Sequence, residues 1–72
     1  MSYKKKIEGT SERLDKAILE SKLTISQISE RTGIARSTIY GHLEGKAMSE
    51  LHVARYCMIL GVSADWLLGL KE

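Results

Sequence analysis

Proline and phenylalanine are both absent from this chain, cysteine occurs once, and aromatic residues make up only 6% of its 72 positions. Without proline, the ends of helices and turns must be marked by glycine, serine and threonine. Without phenylalanine, a core has to be assembled from Leu, Ile, Val, Ala and Met, with Trp66 and a tyrosine as its large members. The lone Cys57 cannot close an internal disulfide, which fits a reducing cytoplasm. No apolar run approaches the roughly 20 residues that cross a bilayer, and no signal-peptide pattern opens the sequence. Alternating β-branched runs bounded by turns are missing, as are internal repeats, low-complexity tracts and any linker between domains.

A chain of this size buries only about 60% of its unfolded surface, which leaves little room for an enclosed catalytic cavity. No Ser-His-Asp order, paired carboxylates or phosphate-cradling glycine loop stands out, so an enzyme is not expected and no cofactor is implied. His42, His52 and Cys57 make a poor metal set. His52 and Cys57 are five apart, on different faces of one helix, and no second cysteine or histidine pair completes a site. They read instead as a small core residue and two surface or edge groups.

Charge carries information only once it is located. Lys4, Lys5 and Lys6 against Glu8 account for the whole net charge of +2, because the other 64 residues hold eight basic and eight acidic side chains. The body is therefore balanced, and a nucleic-acid partner has to be argued from geometry rather than from overall basicity. Residues 1–9 lack helical periodicity and read as a mobile basic arm, with residues 10–72 as the folded domain.

Along that domain, five short helices are expected. The first begins near Thr10 or Ser11, either able to cap it, buries Leu14, Ala17 and Ile18, and stops around Lys22. Thr24 followed by Gln27 is a capping-box pattern for a second helix with Ile25, Ile28 and Thr32 on one stripe. Gly33 stops it. A third helix from about Arg36 to Glu44 buries Ile39 and Leu43 and ends at Gly45. Ser49 caps a fourth, with Val53, Tyr56, Cys57 and Leu60 inward until Gly61, and Ser63 caps a short fifth over Ala64 to Leu68. Trp66, Leu67, Leu68 and Leu70 can close the core or form a dimer surface.

The second and third helices are about three residues apart, the spacing of a helix-turn-helix, in which two helices cross at about 90–120°. Such a crossing asks for a small residue on the second helix, where Ser29 sits, and for positive φ in the turn, which Gly33 supplies. With Ile39 inward, a rotation of about 100° per residue points Ser37, Gly41 and Glu44 outward, with Thr38 and Tyr40 on the flanks. Arg36 lies nearer the core side but, being in the first turn, can reach past the helix end. Arginine bonds bidentately to guanine, hydroxyls meet bases or phosphates, and a helix N-terminus favours phosphate. Gly41 in the middle of that face suggests close approach of backbone.

The stretch LTISQISERTGIARSTIYGHLEGK, followed by ILGVSADWLLGL, resembles the lambda-repressor-like, Cro-type family of helix-turn-helix DNA-binding proteins over residues 10–70. The resemblance implies an all-α five-helix bundle and a prokaryotic or phage transcriptional regulator, cytoplasmic and at the nucleoid, binding a palindromic operator as a homodimer. It makes Arg36, Ser37, Tyr40 and Gly41 base-facing. It puts Thr24, Ile25, Thr38 and Lys46 at phosphate positions, with Lys4, Lys5 and Lys6 following the backbone as an arm. Five positions depart from the family pattern. Ile25 replaces a usual glutamine, Ala35 a usual Ser or Thr cap, Met48 a common proline, and Thr32 and His42 occupy positions usually apolar, where a polar or partly wet core edge is expected. A protein-interaction module such as an antitoxin or adaptor, whose helix-turn-helix is structural, remains the rival reading.

Overall fold

The computed structural model describes residues 9–70, which form α1 (Thr10–Ser21), α2 (Ile25–Thr32), α3 (Arg36–Leu43), α4 (Glu50–Leu60) and α5 (Ala64–Leu67), with no strand among them. Lys4, Lys5 and Lys6 of the expected arm lie outside the described residues.

Hydroxyl side chains start three of the helices. Thr24 Oγ1 accepts from Gln27 N at 3.1 Å while Gln27 Oε1 accepts from Thr24 N at 2.9 Å, so the capping box at α2 is complete. Ser49 Oγ accepts from His52 N (3.2 Å) at α4, and Ser63 Oγ accepts from Trp66 N (3.1 Å) at α5. The first helix differs from expectation. It starts at Thr10 with Gly9 before it, so neither Thr10 nor Ser11 caps, and no side chain does. Glu12 in its first turn supplies negative charge to the exposed N–H groups instead.

The core gathers one stripe from each helix: Leu14, Ala17 and Ile18 of α1, Ile28 of α2, Ile39 of α3, Val53 and Tyr56 of α4, and Leu67 of α5, with Ile34 from the turn. Leu23, Ile25, Leu43, Met48, Cys57, Leu60 and Trp66 pack around its rim. Leu43, expected inward, is thus only half-buried. The C-terminal cluster divides. Leu67 is fully enclosed and Trp66 leans on the core, whereas Leu68 and Leu70 face solvent.

Two polar side chains lie inside, where a polar or partly wet edge is expected: both are polar, but enclosed rather than at an edge. Thr32 is 2% and His42 4% exposed, and each makes a hydrogen bond to a protein group. Thr32 Oγ1 donates to Ile28 O (2.7 Å) and accepts from Ile34 N (3.1 Å). His42 Nδ1 and the Tyr56 hydroxyl share a hydrogen bond of 2.7 Å, with the rings edge-on at 5.6 Å. A buried polar group costs little once it is paired, as the Thr32 hydroxyl and His42 Nδ1 are.

Candidate nucleic-acid interface

The turn between α2 and α3 is Gly33, Ile34 and Ala35, and its backbone groups are bound in several directions. Gly33 N donates to Ser29 O (2.8 Å), and Ser29 Oγ donates to Ile34 O (2.7 Å). The small residue expected at position 29 therefore also ties the turn. Gly33 has φ +78°, a left-handed conformation that strains a residue with a Cβ. A second constraint was not legible in the sequence. Arg55 of α4 reaches across to donate to Thr32 O at 2.7 Å, and its Nη1 would lie 3.2 Å from a Cβ at position 33. A cation thus seats on the C-terminal carbonyls of α2, where the helix dipole favours it. Periodicity places Arg55 on the wet side of α4 but says nothing of a partner 23 residues earlier.

This bracing holds α3 with one side free. Arg36, Ser37 and Tyr40 are exposed, Tyr40 to 52%, and Thr38 and Gly41 are half-exposed. Arg36 Nη1 donates to Ser26 Oγ at 3.1 Å, so its guanidinium bridges the first turns of both helices and keeps its other N–H donors for a partner. Nothing in the sequence marks Ser26 for this role, because an exposed serine carries no periodic signal. Ala35 leads α3 with no side-chain cap, as its residue type requires, which leaves the first N–H groups of the helix open to an outside acceptor. Negative charge enters only at the far end, where Glu44 is exposed. The N-terminal half of α3 is the part a polyanion can approach.

Around it stand the remaining candidates. The Thr24 oxygen accepts within the capping box, but its O–H remains free to donate to a phosphate. Ile25 packs its side chain against the core, so only its backbone N–H, in the first turn of α2, can serve there. Thr38 lines an open concavity of about 410 Å3 with Ser37, Gly41, His42, Lys46 and Ala47.

Beneath this face, burial and then the neighbouring His52 hold the His42 imidazole below its ordinary range, with the two histidine rings 5.3 Å apart. Burial pushes the Tyr56 phenol up to about 12, so it stays protonated beside the ring. The His42–Tyr56 pair beneath α3 is therefore neutral at pH 7. Among the described residues no group of three or more His, Cys, Asp or Glu is placed to hold a metal ion, and no helix is long and apolar enough to cross a membrane.

Comparison with known families matches residues 11–72 to a helix-turn-helix domain. No curated protein and no solved structure matches the chain.

Proposed function

Because this chain belongs to the helix-turn-helix domain family of the XRE/Cro-like type, a family of DNA-binding regulators, we propose that it is a sequence-specific transcriptional repressor that lays α3 in the major groove. Arg36, Ser37 and Tyr40 read base edges from the N-terminal half of α3, with Gly41 between them and the end of the helix. Thr24 through its hydroxyl, Ile25 through its backbone N–H, and Thr38 approach phosphates and set the register, with Lys4, Lys5 and Lys6 adding charge along the backbone. The observation that carries the reading is the open Arg36–Ser37–Tyr40 face, braced from behind by the hydrogen bonds of Gly33 and Ile34 in the turn and by Arg55.

A homodimer on a palindromic operator is part of the same proposal. Leu51 and Met58 of α4 are 58% and 80% exposed, and Leu68 and Leu70 are 41% and 72% exposed. A largely apolar groove of about 310 Å3 runs between Met48, Val53, Ala54, Cys57, Ala64 and Leu68, with Glu50 also in its lining, and no α3 residue lines it. Apolar surface of that kind supports self-association that leaves α3 free. Enrichment of duplexes from a randomised DNA pool tests the whole reading. A two-fold-symmetric sequence is expected, and Arg36→Ala should bind it about 1–3 kcal/mol more weakly with relaxed preference at one base pair. Unchanged affinity and preference in that variant would remove α3 as the reading element.

A further inference from the structure

Gly41 has φ in the ordinary helical range, so backbone conformation does not demand glycine there. What crowds the position is a neighbouring side chain. A Cβ at position 41 would lie 3.3 Å from Lys46 Cδ and 4.0 Å from Lys46 Cγ, the first of these closer than ordinary van der Waals contact. The Lys46 stem thus lies in the notch that a missing side chain leaves on the outward face of α3.

The chain reversal after α3 puts it there. Glu44 N donates to Gly41 O at 3.1 Å, Gly45 turns the chain with φ +110°, and Lys46 N returns to the same Gly41 carbonyl at 3.0 Å. Lys46 is therefore tethered by its own backbone directly over residue 41. Its stem shares the 410 Å3 concavity with Ser37 and Thr38, and the ammonium is two bonds beyond Cδ, on an exposed residue. Among the described residues the ion pair formed is Lys16 with Glu20, at 4.0 Å, so no carboxylate there holds the Lys46 charge. A lysine touching phosphate from the flank of the helix has no need of a notch in the reading face.

We propose that Lys46 is a base-reading residue, donating to the O6 and N7 acceptors of a guanine edge, and that Gly41 is small in order to seat its stem. The assignment rests on the DNA-binding reading above and moves Lys46 from the phosphate set to the base set. Lysine suits the task because its three donors rotate to meet two acceptors on one edge.

The test uses the full chain and the duplex that it enriches from a randomised pool, with an unrelated duplex as the comparison. Lys46→Met keeps the stem and removes the charge. It should weaken binding to the enriched duplex about tenfold or more, weaken the unrelated duplex by about threefold at most, and lose preference at one G·C pair on re-selection. Gly41→Ala, whose thermal melt shows it folded, should lose preference at the same pair by displacing the stem, and the double variant should be no worse than the poorer single one. Equal losses on both duplexes, with a salt slope smaller by about one unit, would make Lys46 a phosphate contact and overturn the proposal. Preference unchanged in Lys46→Met would overturn it equally. If the wild-type chain enriches no sequence, the DNA reading itself fails, a result distinct from either of these.

Discussion

His42 shows how one side chain links the support of α3 to pH. In the folded chain its imidazole is held below its ordinary range, first by burial and then by His52, while the unfolded chain leaves it at about 6.5. Between those two values the unfolded state binds more protons, so stability falls as pH drops through about 6.5 and stops falling below the folded value. Thermal midpoints measured from pH 8 to pH 5 should show that decline, and His42→Gln should flatten it; an equal slope in both proteins would place the titration elsewhere. Thr32 makes a second residue-scale case. Thr32→Val keeps the shape but leaves Ile34 N without its acceptor, at a cost of about 1–3 kcal/mol by denaturant titration. Both residues read as anomalies in the sequence, polar where the stripe asked for apolar. The partner of His42, Tyr56 on another helix, is set by packing and could not be read from spacing, whereas Thr32 bonds Ile28 and Ile34 nearby and only its burial was hidden.

At the scale of the element, α2, its turn and α3 behave as one braced unit. Removing the cap with Thr24→Ala should cost about 1 kcal/mol, because Gln27 N loses its acceptor and the returning Gln27 bond loses its geometry. Gly33→Ala should cost more than that, since it combines a left-handed φ with a contact of 3.2 Å to Arg55 Nη1. Chemical denaturation of both variants gives the order, and a smaller loss at Gly33 would mean that the turn relaxes without Arg55. The capping box, the turn glycine and the small Ser29 were legible because each is a local requirement on residue type. The Arg36–Ser26 and Arg55–Thr32 bonds were not. Each joins two elements, and long flexible side chains leave no periodic trace.

For the molecule as a whole, the proposed dimer makes a geometric demand. Two copies of α3 must reach successive major grooves, about 34 Å apart, so inserting about five base pairs between the half-sites should abolish cooperative binding. Leu68→Glu, which adds a second carboxylate to a groove that Glu50 already lines, should weaken self-association measured by sedimentation while leaving the melt of the monomer nearly unchanged. An undiminished dimer would put the interface elsewhere. Deleting residues 1–6 is expected to lower affinity for all duplexes alike and to flatten the salt dependence by about one unit for each lysine that meets a phosphate. Three lysines in that segment set the upper limit.

The sequence by itself determined that the described residues form five helices, where most of them end, which side of α3 turns inward, and to which family the chain belongs. These are properties of neighbours along the chain: capping hydroxyls, stop glycines and apolar positions recurring every three or four residues. Tertiary structure alone decided that His42 pairs with Tyr56, that Arg55 locks the turn, and that Ser26 meets Arg36. In each of these the deciding contact joins groups that only folding brings within bonding distance, and the energy of such a contact depends on burial and angle, which the order of residues does not encode locally. The bonds of Thr32 and the seat of the Lys46 stem at Gly41 join near neighbours, but their burial and geometry belong to the folded chain.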